Sequence, residues 1–137
     1  MFYETVDDIT ADAGIRVEGS TREEIICRSV LATFNEITDI DRVKPSLKRE
    51  VSQEGKFPFL LADIINRALH LHETEGFVAS SCSVDEVSEE KVTLSLLGEI
   101  YDPARHTSKL VIKAATYHRL RFERRGEKWI AQVIFDI

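Results

Sequence analysis

Three aspartates near the start of the chain, Asp7, Asp8 and Asp12, are the first residues whose type and spacing could do chemistry. Asp136 and a terminal Ile137 lie at the other end, on a segment with alternating apolar residues. Asp8–Asp12 falls in a short connection between two expected strands. If that connection meets the end of the last strand, Asp12, Asp136 and the Ile137 carboxylate converge. Like charges that close repel unless a cation sits between them. An all-oxygen donor set suits Ca²⁺ or Mg²⁺ rather than zinc. The plainer alternative is an acidic turn and an exposed terminus.

A second group is Lys113-Ala114-Ala115-Thr116-Tyr117-His118. By strand alternation His118 shares a face with Leu120 and Phe122, which predicts a core-facing or rim histidine. Tyr117 then shares the opposite face with Arg119 and Arg121. Lys113 has the parity of Val111 and Ala115, which predicts a half-buried lysine. A lysine acting as a base would need a depressed pKa; as a compact point charge it needs none. His70 and His72 do not face each other on a helix, so a shared metal is not expected there. His70 reads as a surface residue, and His72, with Glu73 and Glu75, belongs to a fraying helix end. No Gly-rich phosphate loop, nucleophile elbow or paired-cysteine zinc spacing is present. The chain thus has no evident way to bind GTP alone.

The elements that must position these residues follow from the pattern. Residues 2–6 and 14–19 read as short strands. Ser20 with Glu23 reads as a capping box, opening a helix to about Thr38 with Ile26, Val30, Phe34 and Ile37 on its apolar stripe. Residues 48–53 suggest a strand. A second helix starts near Pro58 and ends near Gly76, with Leu60, Leu61, Ile64, Ile65, Ala68 and Leu69 inward. Residues 77–87 and 91–100 make a hairpin around Ser88-Glu89-Glu90. Tyr101–Ser108 reads as a loop. Strands are expected at 109–115, 116–125 and 127–136, the last two joined at Arg125-Gly126. The last has apolar residues on both faces, so it should be central. The sum is one domain over residues 1–137, of α+β class. Two helices pack on a mostly antiparallel (mixed) sheet of about seven strands in a two-layer sandwich.

The chain has 137 residues and a net charge of -6. A protein that grips nucleic acid by its phosphates is normally basic. Residues 101–128 nevertheless hold eight Lys/Arg against three Asp/Glu, a local +5, leaving -11 for the rest. That strip reads either as solvated strand faces or as a docking surface for an acidic partner. Cys27 and Cys82 are far apart in sequence and not in metal-ligand spacing. A disulfide framework is therefore not expected, and a reducing cytosol is the better reading. The start MFYETVDD lacks signal-peptide features, and no apolar run approaches the roughly 20 residues of a membrane helix. A cytoplasmic protein is expected.

Four segments in order resemble the archease family. They are Tyr3-Glu4 with Asp8-Ile9-Thr10-Ala11-Asp12-Ala13-Gly14-Ile15; Thr38-Asp39 with Val43 and Pro45; Tyr101-Asp102-Pro103-Ala104-Arg105-His106 with Lys113-Ala114-Ala115-Thr116-Tyr117-His118; and Phe135-Asp136-Ile137. The resemblance spans the whole chain. It implies an activator of an RtcB-type RNA ligase in tRNA splicing, one that promotes ligase guanylylation and multiple turnover without being an enzyme itself. It implies a divalent cation site, usually calcium, carried by Asp12, Asp136 and the Ile137 terminus. It places Lys113 at the motif lysine, with Tyr117 and His118 in the same partner-facing motif. RNA would be met only through the ligase, with no DNA and no membrane. Ile9 stands where the family usually has His, and Arg67 follows Asn66 where an acid is common.

Two other functions compete on the residues alone. A direct RNA-binding module would use the 101–128 strip, against the overall charge and the scarcity of exposed aromatics for base stacking. A small metal-dependent phosphohydrolase would use Asp12, Asp136 and Lys113, with too few groups to hold a metal and also activate water.

Overall fold

Residues 2–7 and 12–137 are described by the structure, a computed structural model. Strand β1 (Glu4–Thr5) pairs with β2 (Ala13–Gly19), and α1 follows over Arg22–Ile37. The cap of α1 lies one residue later than Ser20. The Thr21 hydroxyl accepts from the Glu24 N–H at 3.1 Å, and the Glu24 carboxylate accepts from the Ser20 N–H at 3.2 Å. The box is Thr21-x-x-Glu24, the same reciprocal chemistry shifted by one. Ile26, Val30, Phe34 and Ile37 are buried as one stripe, as their spacing predicts.

Strand β3 (Leu47–Glu54) precedes α2 (Phe59–Glu75). Helix α2 stops at Gly76, whose φ of 75° is left-handed and favours glycine. Strands β4 (Phe77–Val87) and β5 (Lys91–Ile100) form the predicted hairpin around Ser88-Glu89-Glu90. A Cβ at Gly98 of β5 would overlap the Val78 carbonyl oxygen, so glycine is what lets the two strands close beside the bulge at Ala79/Ser81. Then come β6 (Ala114–Ala115), β7 (Arg121–Arg125) and β8 (Lys128–Asp136).

The α+β class is as expected, but the strands divide between two sheets. One runs β1-β2-β8-β6, with β7 also on β8; the other runs β3-β5-β4. Every ladder is antiparallel. Buried side chains of both helices and both sheets, Phe34, Phe77, Leu94 and Phe135 among them, belong to one apolar cluster.

The predicted strand 109–115 is reduced to β6, and of the predicted strand 116–125 the second half is present as β7, joined to β8 at the expected Arg125-Gly126 turn. The Lys109 and Leu110 N–H groups donate to the Ile37 and Glu36 carbonyls, each at 3.0 Å, and the Lys109 ammonium donates to the Asn35 carbonyl at 2.7 Å. Those carbonyls have no partner inside the helix. The segment therefore caps the end of α1 instead of joining a sheet, and alternation does not govern it. Residues 116–120 form a turn, with Arg119 at φ 52°.

The cysteines also correct the sequence reading. Cys27 of α1 and Cys82 of β4 are joined in a disulfide, with Cα atoms 5.5 Å apart across a separation of 55 residues. Packing of α1 on β4 brings them together, which linear distance does not reveal. The argument from unpaired cysteines to a reducing compartment therefore lapses. No described helix is long and apolar enough to cross a membrane.

Candidate functional site at the end of strand β8

Strand β8 is central, with β2 on one side and β6 and β7 on the other. Ala131, Val133 and Phe135 are fully buried on one face and Ile134 almost so on the other, which pins the strand where Asp136 leaves it, exposed. Ala13 lies opposite Phe135, so Asp12 before it and Asp136 after its partner leave adjacent strands at the same sheet end. On the other flank Ala114 is opposite Asp136, and the Lys113 N–H donates to the Asp136 carbonyl at 2.8 Å. Topology thus brings Asp12, Asp136, Ile137 and Lys113 to one edge. Asp12 is exposed, and Ile137 is 43% exposed. Asp8 and Ile9 lie outside the described residues. Among the described residues no three His, Cys, Asp or Glu side chains group closely enough to share an ion.

The segment from Lys113 to His118 is fixed by α2. Asn66 donates from Nδ2 to the Ala115 carbonyl at 3.0 Å, and its Oδ1 accepts from the Ala115 N–H at 2.8 Å. Thr116 donates through its backbone N–H (2.9 Å) and hydroxyl (2.8 Å) to the Ile134 carbonyl. With the backbone held on both sides, Lys113 points its side chain outward; it is exposed, not half buried. His118 is exposed too, because it lies in the turn and not on a strand. Tyr117 is 54% exposed, donates its hydroxyl to Asp63 Oδ1 at 2.6 Å and packs edge-on against Phe59 at 4.9 Å. The Asp63 carboxylate holds the phenol proton and raises the Tyr117 pKa, with burial adding to it. Asp63 and Phe59 were not singled out in the sequence, where their only signal was a place on the less apolar face of α2, and Asn66 entered only as the helix-two asparagine that Arg67 follows. His70 is exposed, whereas His72 bonds the Phe77 carbonyl through Nδ1 at 3.1 Å and is not a frayed end.

The Archease protein family model matches residues 3–137. The chain belongs to the archease family. Protein archease of Methanopyrus kandleri is 36% identical over 132 residues, 93% of this chain and 94% of that one. The protein of the same name from Pyrococcus furiosus is 35% identical, covering 93% and 94%. The solution structure of Methanobacterium thermoautotrophicum protein 1598 matches 99% of both chains with a TM-score of 0.82 at 28% identity. A crystal structure from Thermotoga maritima, described as an archease and possible chaperone, shares the fold at a TM-score of 0.58 and 22% identity.

A further cluster in this archease braces the loop leading to Lys113. Glu99, 8% exposed, accepts from the Lys44 N–H at 2.7 Å, from the Arg105 guanidinium and from His106 Nε2 at 3.0 Å. His106 Nδ1 accepts from the Asp102 N–H at 2.8 Å, which leaves Nε2 as the donor to Glu99. The Arg105 hydrogen bond, then the Lys44 and His106 contacts, outweigh burial and pull the Glu99 pKa from 4.5 to about 2.

The 101–128 strip is not one free basic face in this archease. Arg105 pairs with Glu99, Arg121 and Arg125 with Glu123, and Lys128 with Glu18. Local carboxylates answer much of the excess that the sequence count displays.

Proposed function

We propose that this archease activates an RtcB-type RNA ligase in tRNA splicing, promoting its guanylylation and turnover, and joins no RNA itself. Family membership supports the accessory role. The observation that carries the reading is the sheet end: Lys113 is tied by its backbone to Asp136, yet its side chain is exposed. Such a lysine can extend a compact charge into a partner's active site without any pKa shift. Tyr117 and His118 stand exposed beside it and would meet the partner with it.

Asp12, Asp136 and the Ile137 carboxylate supply hard oxygen donors only, which suits Ca²⁺, with Mg²⁺ as the other fit. When bound, the cation would relieve repulsion among these carboxylates and hold the two strand ends together. RNA enters only through the ligase, in the cytoplasm; no DNA or membrane partner is implied. The pairing of Arg105, Arg121, Arg125 and Lys128 with carboxylates weighs against phosphate binding by the strip alone. The test is ligase turnover with and without the protein, alongside the protein alone. Multiple turnover should require both components. GTP hydrolysis or RNA joining by the purified protein without ligase would overturn the reading.

A further inference from the structure

A cavity of about 410 Å³ opens at the other end of β8. Trp129 is the second residue of that strand, seven residues before Asp136, or about 23 Å away at strand spacing. The cavity wall is aromatic. The Phe57 and Phe122 rings are stacked with centroids 4.1 Å apart, and the Phe122 and Trp129 rings are 5.5 Å apart. None of the three is fully buried. Sequence alternation left this set invisible, because Phe57 comes from the loop between β3 and α2 while the other two come from β7 and β8.

The rim carries both signs of charge. Arg22 and Lys56 line it, as do Glu89 and Glu90 of the β4–β5 turn. Two separate loops hold these groups in place: the Gly55 N–H donates to the Glu90 carbonyl at 3.0 Å, and the Glu90 N–H to the Ser88 hydroxyl at 3.2 Å. Lys56, Glu89 and Glu90 are exposed, and among the described residues none has an oppositely charged side chain within ion-pair distance. The aromatic wall suits a planar ligand, and a rim with both signs of charge suits one that carries N–H donors as well as an anionic group.

We propose that this cavity binds a guanine nucleotide as a single unpaired unit. The base packs on the aromatic wall, the sequence-tolerant part of such recognition. Glu89 and Glu90 accept from its edge. Guanine presents two adjacent donors there, N1–H and the N2 amino group. Adenine and cytosine set a ring-nitrogen acceptor beside their amino group, and uracil flanks one N–H with two carbonyls, so each would meet a carboxylate with repulsion. Arg22 and Lys56 take the phosphate. The site binds and performs no bond cleavage. This goes beyond the ligase-activator reading, does not depend on it, and departs from the expectation that a chain without a phosphate loop has no way to bind such a nucleotide alone.

Trp129 is the chain's one tryptophan, so its fluorescence and its indole N–H resonance report on this cavity alone. The intact protein, without ligase, is titrated with GMP, AMP, CMP and UMP. Saturable binding of GMP, at least tenfold tighter than of the other three, is expected. The double variant Glu89→Gln/Glu90→Gln should reduce GMP binding to the AMP level. Lys56→Met should weaken GMP binding while leaving guanosine unaffected. All three positions are exposed, and circular dichroism checks that the variants fold. No saturable response to GMP at millimolar concentration would overturn the proposal. So would equal binding of all four nucleotides, or GMP binding that the double variant retains.

Discussion

Lys113 and Asp12 test the sheet-end site from its two flanks. Lys113→Met keeps much of the stem and removes the charge. Ligase guanylylation should fall at least tenfold, or about 1.4 kcal/mol of transition-state stabilisation, while melting temperature and Ca²⁺ binding hold. If stability falls and activation survives, Lys113 is a packing residue. Asp12→Asn should lower Ca²⁺ affinity without disturbing the fold; calorimetry with equal Ca²⁺ binding by variant and wild type would count against the cation site. Glu99 makes a separate prediction. Its folded pKa of about 2 lies below its ordinary 4.5, so its stabilising effect is complete above about pH 4.5 and is lost as pH falls toward 2. Glu99→Gln should cost about 2 kcal/mol at pH 7, the scale for breaking a buried charged network, and should flatten the acid limb of stability against pH. The aspartates were legible because their types and chain-end positions limit what they can do. The Glu99 brace was not, because its acceptor and donors come from different elements and share no spacing.

At the scale of elements, patterns that express a local period were readable, and those that depend on a distant partner were not. Both helices, the β4–β5 hairpin and the central β8 follow from apolar periodicity and turn residues. The segment 109–113 shows alternation but bonds the α1 terminus, a tertiary demand that overrides the local one. The same override exposes His118 and Lys113. Cys27 and Cys82 belong to this scale as well. Their bridge closes a loop of 55 residues, and constraining the unfolded chain that far is worth about 2–4 kcal/mol. Cys27→Ser, or full reduction, should lower the melting temperature accordingly without changing the circular dichroism of the folded state. An identical melting curve under strong reductant, with thiol counting showing both sulfurs free, would mean the bridge adds nothing to stability.

Taken whole, the molecule brings Asp12 and Asp136 out at one end of a buried central strand. Asp136 follows a fully buried Phe135 and Asp12 immediately precedes β2, so the β2–β8 register sets where both carboxylates leave the fold. A C-terminal tag, which converts the Ile137 carboxylate into an amide, should therefore reduce ligase activation while melting temperature changes little. Full activation by the tagged protein would argue that the terminus is not a ligand. Placing β8 at the centre also imposes an order in time. A ribosome delivers β2 long before β8, and β6 and β7 just before it, yet β8 is the strand they all pair with. Until residues 128–136 emerge, β2 has only the two-residue β1 to pair with and the 113–125 segment has no ladder to join, whereas the β3-β5-β4 sheet is already complete. Synthesis should thus pass through a half-assembled nascent chain with one sheet closed and the other waiting. A stop codon between β7 and β8 would make that transient species permanent, leaving the apolar face of β2 open to chaperones or to pairing with other chains.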